Sequence, residues 1–277
     1  MNESFLKRCT TQPKKWELIY WWTLRGLMIF GIIYRLIKPD AQPGQFLYYN
    51  SLQMTANLVG MFAWEIGQTA SKKRFIRYFA PSLQDITILG FFLASFGGAF
   101  LNFYYIIPHY DKILHLTGCV EAVYVGYEMI TAMQLRDKVV IAPKYVALAA
   151  FGIAFVFAAG WELFEFTTDQ YFGFDAQHWN WQRTMDAAGI QNFEDIPILF
   201  KWSTPKNFPD LETQKQRFAI MDTMGDAVLN ALGAVPMYLF LRKFPFHHRG
   251  KNNVNERIAA ELAAAKEAET PETVAAD

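Results

Sequence analysis

Two cysteines in 277 residues are too few for a disulfide framework. Cys9 lies in an N-terminal arm and Cys119 inside an apolar segment, so neither a bridge nor a CxxC metal site is expected. Net charge is also lacking: 26 Lys plus Arg balance 26 Asp plus Glu, and no nucleic-acid partner is expected without a basic excess. No nucleotide site and no internal repeat is visible. The first apolar run is too long for a signal-peptide core and no small-residue cleavage site follows it, so it is expected to be retained as a span.

What the chain has in quantity is apolar surface, 52% hydrophobic and 17% aromatic residues. It is gathered into runs of about 20 residues, the length that crosses about 30 Å of hydrocarbon at 1.5 Å per residue. The expected fold class is all-α, a polytopic transmembrane helical bundle of about six spans. The spans run from about Trp16 to Ile37, Phe46 to Gln68, Ile86 to Ile107, Asp111 to Leu135, Tyr145 to Phe166 and Phe218 to Leu241. Residues 1–15 form a basic arm, 16–241 the membrane domain with an aromatic outer loop at 168–216, and 242–277 a basic, then Ala/Glu-rich tail. That tail is expected to be solvated and partly disordered.

Loop charge supplies the orientation. Lys72, Lys73, Arg74 and Arg77 cluster in the second loop, Arg136, Lys138 and Lys144 in the fourth, and Arg242, Lys243 and Arg249 after the last span. The first and third loops are nearly neutral, so the positive-inside rule places both termini in the cytoplasm and the long fifth loop outside.

Acids then recur at helical spacing within apolar segments. Asp111 precedes His115 by one turn and Glu121 follows; Glu162, Glu165 and Asp169 mark the fifth segment, and Asp222, Asp226 and Asn230 the sixth. An ionisable side chain at the centre of a membrane helix costs roughly 2.5–3.5 kcal/mol on insertion scales, so a cluster reads as functional. On the expected topology, His115 stands about 6 Å and Glu121 about 15 Å along the helix from Asp111. The other acids fall at similar depth near the outer face. Each set subtends an arc of about 40–80°, a narrow polar stripe of the kind facing helices share. Taken singly, each has a plain structural account: Asp111 as a first-turn acid, His115 as an interhelical hydrogen-bond donor, the others as groups reaching water near span ends.

One imidazole among carboxylates suits one or two hard or borderline divalent cations, Mg²⁺, Mn²⁺, Zn²⁺ or iron. The expected ligands are His115, Glu162, Glu165, Asp222 and Asp226. Asp111 is either a ligand or the group orienting the imidazole, and Asp169, Glu121 and Asn230 stand behind them. Without a metal, clustered carboxylates favour proton transfer or polar-ligand binding. Elsewhere Glu65 and Glu128 are expected to meet solvent near the cytoplasmic ends of their spans, and Arg25 to pair with Glu121. His178 is a candidate lid or extra ligand, and His247 and His248 belong to a basic, headgroup-facing tail.

The ordered set Asp111-Lys112-x-x-His115, Trp161-Glu162-x-x-Glu165 and Asp222-Thr223-Met224-x-Asp226-x-x-x-Asn230-x-x-Gly233 resembles the signature of YjdF-like bacterial inner-membrane proteins. It is more distantly similar to VanZ-like proteins associated with glycopeptide resistance. The resemblance covers about Ile86 to Leu241 and implies a multi-pass protein of the bacterial inner membrane with these residues at its centre. It implies no particular reaction. The sequence therefore favours metal-dependent hydrolysis or group transfer on an envelope or lipid-derived substrate. The main alternative is a non-enzymatic accessory subunit of a larger membrane complex, or a ligand-binding membrane protein. A proton-coupled transporter is the weaker third reading, because no inverted repeat is visible. Membrane lipids are expected partners in every case.

Overall fold

The computed structural model describes residues 13–39, 47–71, 73–107, 109–172, 176–177, 211–250 and 253–269. Among them there is no strand, and every element is a helix or a short helical turn. The first helix, α1 (Lys15–Ile37), starts where the Glu17 carboxylate accepts the Lys14 backbone N–H. It buries Trp21, Arg25 and Met28, spaced four and three residues apart, so one stripe faces inward.

Instead of one long second span, α2 (Tyr49–Gly60) and α3 (Ala63–Thr69) follow, broken at Met61-Phe62. Side chains from other helices repair the break. The Met61 carbonyl accepts from Arg25 Nε at 3.1 Å, from Arg25 Nη2 at 2.6 Å and from the Gln84 amide, while Gln84 Oε1 accepts the Trp64 N–H at 2.8 Å. Backbone polar groups removed from a helical ladder and buried need such partners. A 3₁₀ turn (Phe75–Tyr78) leads to α4 (Pro81–Phe92), with proline in its first turn, which passes into a π-helical stretch over Leu93–Phe100. There the Leu93 carbonyl accepts from the Tyr110 hydroxyl at 2.8 Å. A short α5 (Phe103–Ile106) then turns the chain back.

Three long helices form the other half: α6 (Tyr110–Asp137), α7 (Pro143–Phe172) and α8 (Leu211–Lys243). They pack on one another around Cys119, Val123, Tyr127, Ala150, Ala154, Ala234 and Leu241. Gly126 and Gly233 set the spacing. A Cβ on Gly126 would lie 2.8 Å from the Ala150 carbonyl oxygen, and one on Gly233 would collide with that of Leu116. Small residues permitting backbone contact are how membrane helices associate closely. The first half has its own core of Trp21, Met28, Met54, Met61, Trp64, Ile88 and Phe96.

By length and composition, Pro81–Phe100, Pro143–Phe172 and Asp222–His248 are apolar enough to cross a membrane. Helices α1 and α6 have the length but less apolarity, since they carry ionisable side chains into the bundle. Ile37, Val156 and Leu163 are among many large apolar side chains left exposed, as lipid contact requires.

Two expectations about charge are corrected here. Arg25 pairs with Glu65, at 2.7 Å between Nη1 and Oε1, and not with Glu121. Glu128 is buried and bonds His247 Nε2 at 2.5 Å, so it does not meet solvent. The headgroup-facing tail is corrected with it. The Tyr127 hydroxyl meets His248 Nδ1 at 2.8 Å, and His248 Nε2 meets Gln134 Oε1 at 2.9 Å. Beyond this latch, α9 (Val254–Glu269) lies against α6 through Gln134 to Asn255 and Lys138 to Glu261. Within the tail, Val254–Glu269 is thus helical. Cys9, His178 and most of the aromatic loop lie outside the described residues.

Candidate metal centre

The first turns of α6, the last turns of α7 and the first half of α8 meet at one end of the three-helix half. Asp111, Lys112 and His115 come from α6, Glu162 and Glu165 from α7, and Asp222 and Asp226 from α8. His115, Glu165, Asp222 and Asp226 are buried, and Asn230 is buried one turn beyond Asp226.

The residue that sequence reasoning missed is Lys112. Its ammonium reaches Asp222 Oδ1 at 2.6 Å, both Asp226 oxygens at 2.8 Å, and Asp111 Oδ2 at 3.1 Å. It thereby ties α6 to α8. The signal was present in the sequence, because Lys112 stands three residues before His115 and so shares its helix face.

His115 lies on the other side of the same carboxylates. Nε2 is 3.5 Å from Asp111 Oδ1 and 3.7 Å from Asp226 Oδ2, and Nδ1 is 3.8 Å from Glu162 Oε1. These separations exceed the about 2.7–3.2 Å of a normal hydrogen bond. Atoms bound to one small cation at about 2.0–2.2 Å stand about 3–4 Å apart, which matches the two Nε2 separations; the Glu162 contact is on the opposite edge of the ring. Asp111, His115 and Asp226 each present a ligand atom within 4.8 Å of the other two.

The remaining expected residues take different places. Glu165 Oε1 accepts the Trp161 indole N–H at 2.7 Å. Both Glu162 oxygens are buried without a hydrogen-bond partner among the described residues. Thr223 stands beside Glu162 without completing a hydrogen bond. Asp169 accepts the backbone N–H groups of Ala176 at 2.8 Å and Gln177 at 2.9 Å, fastening the chain as it leaves α7. The Gln177 side chain continues the tie to Thr223 on α8 at 2.9 Å. Asp169 therefore holds backbone, and Glu121 lies about 15 Å further along α6 from Asp111, too far to join the cluster.

Five carboxylates converge here on one ammonium and one imidazole. Low-dielectric surroundings do not tolerate such an excess of negative charge, so the cluster requires protons or a further cation. Beside it opens a cavity of about 1010 Å³ between the two halves, lined by Asp111, His115, Glu165 and Asn230 and by apolar and aromatic side chains.

A family model described as a predicted membrane protein matches residues 20–245. An uncharacterized protein of Thermotoga maritima is 41% identical over 80 residues, which is 28% of this chain and 40% of that protein. The chain thus aligns with less than half the length of that relative. No solved structure matches.

Proposed function

The chain belongs to the DUF2238 family of predicted membrane proteins, and on that premise we propose a six-span bacterial inner-membrane protein with both termini cytoplasmic. Its Asp111, His115 and Asp226 side chains hold a divalent cation near the outer face. They use it in hydrolysis or group transfer on an envelope or lipid-derived amphiphile held in the adjoining cavity. The likeness of the ordered motifs to YjdF-like and VanZ-like proteins supports the envelope setting. The observation carrying the reading is His115 Nε2, which faces Asp111 at 3.5 Å and Asp226 at 3.7 Å and leaves between the three side chains a gap of a cation's dimensions.

The donor set fits a hard or borderline ion, since it offers one imidazole nitrogen and carboxylate oxygens without thiolate. Such an ion supplies a bound water whose pKa is lowered toward about 7. The protein's own groups divide the remaining work. Lys112 neutralises Asp222 and holds Asp226 in position through both its oxygens, one of which, Oδ2, also faces His115. Glu162, beside His115 and without a hydrogen-bond partner among the described residues, is placed to accept a proton from the attacking water. Trp161 fixes Glu165.

Elemental analysis of protein purified in neutral detergent tests the reading. Wild type carries a stoichiometric divalent metal, and His115→Ala and Asp226→Asn lose it while remaining monodisperse. A metal-free wild type after purification without chelator sinks it.

Lys112 favours a second reading, because it already bonds three of the acids. In that reading the cluster is an interhelical staple in an accessory subunit or ligand-binding protein. A stoichiometric partner that co-purifies equally with wild type and His115→Ala would support it.

A further inference from the structure

The cavity continues well past the Asp111, His115 and Asp226 cluster. Deeper along α6, Glu121 lines it, seated over Gly90 of α4. The missing side chain of Gly90 makes the room, since a Cβ there would collide with the Glu121 carboxylate. Glu121 has no hydrogen bond or ion pair among the described residues. Asp85 lines the same wall, with Oδ1 accepting from Trp21 Nε1 at 2.7 Å and its carbonyl accepting from the Tyr20 hydroxyl at 3.2 Å.

The charge of the lining is one-sided. Asp85, Asp111, Glu121 and Glu165 contribute to it, and among the described residues no Lys or Arg does. Arg25 and Lys112 are not among the lining residues: Arg25 pairs with Glu65, and Lys112 with Asp111, Asp222 and Asp226 at the cluster end of the cavity. At the Glu121 end, away from Lys112 and His115, an anionic ligand would meet an acid with no cation in the described lining. A neutral ligand would leave Glu121 unmatched in an apolar setting, whereas a cation satisfies it. Aromatic faces from Trp16, Tyr20, Tyr104 and Phe157 also line the space, and aromatic rings attract ammonium groups.

We propose that this cavity binds an aliphatic amine, its ammonium head against Glu121 and its chain along the apolar wall toward the Asp111, His115 and Asp226 cluster. The proposal names the head-group class of that centre's substrate, whose far end would carry the bond to be hydrolysed or the group to be transferred, and it rests on the preceding reading only for where chemistry would occur. Glu121 is a recognition group in it, and Gly90 provides the notch that admits the head.

Calorimetric titration of the full chain in maltoside micelles with dodecylammonium, dodecanol and dodecyl phosphate tests it. Dodecylammonium is expected to bind saturably at one site, at least tenfold more tightly than dodecanol, with dodecyl phosphate weakest. Glu121→Gln is expected to remove most of that tenfold preference for the amine over the alcohol. Equal affinity for amine and alcohol, a non-saturating partition signal, or a preference that survives Glu121→Gln overturns the proposal. The three-probe comparison on wild type decides even if the variant does not accumulate. Amine selection by a protein free of metal would sink the metal reading alone, and loss of selection in a metal-bearing protein would sink this one alone.

Discussion

Among the described residues each half of the molecule buries one Lys or Arg, and the two are treated oppositely. Arg25 in the first half meets a single acid, Glu65, and spends its other donor capacity on the Met61 carbonyl and the face of Phe62, 4.0 Å from the ring centroid. The account closes at neutrality, as expected of a strut. Lys112 in the second half meets Asp111, Asp222 and Asp226, with Glu162 and Glu165 close by. That account stays negative. A balanced pair holds helices together and asks for nothing else; an acid surplus beside a large cavity is chemistry waiting for a counter-charge.

The largest expected effect comes from removing the cation on the unbalanced side. Lys112→Met should destabilise the protein by about 3–5 kcal/mol, the usual cost of stranding buried charge, read from denaturation in detergent. Arg25→Met should cost a similar amount, and here the halves part company. Arg25→Met with Glu65→Leu should recover most of the loss, because removing both partners of a buried pair is often neutral. Lys112→Met with Asp222→Asn should recover little, since Asp111 and Asp226 remain charged. Equal rescue in both doubles would dissolve the contrast.

A smaller effect is expected at the repaired helix break. Gln84→Leu strands the Trp64 N–H and leaves the Met61 carbonyl to Arg25 alone, a loss of about 1–3 kcal/mol on the same assay. The smallest lies at the surface, where hydrogen bonds from Lys138 and then Arg257 hold the Glu261 carboxyl below its ordinary value. A lowered carboxyl pKa stabilises the folded form above the ordinary carboxylate value, and the gain is lost as pH falls through the lowered one. Hydrogen exchange in α9 should therefore quicken slightly in that acid window, and Lys138→Ala should flatten the dependence.

The convergence of acids was legible because helical period needs no tertiary knowledge. Glu162 and Glu165, and Asp222 and Asp226, sit three and four residues apart, and any packing of their helices turns each pair one way. Lys112 escaped because a lysine in a first turn reads as an interface anchor, and only the approach of α8 shows it facing inward. Arg25 was matched by depth to Glu121, a comparison that assumes straight helices. The interruption at Met61-Phe62 redirects Glu65 toward α1 and gives Arg25 a carbonyl as well. Glu128 was misplaced for a related reason. Its partner His247 belongs to a tail whose fold-back against Tyr127 leaves no periodic trace in the sequence.

Backbone seated on backbone at Gly126 and Gly233 leaves α6, α7 and α8 no slack to slide past one another. The cavity they border is walled on its other side by a different construction, the π-helical stretch at Leu93, Ala94 and Gly98 and the face of α2 at Tyr49 and Gln53.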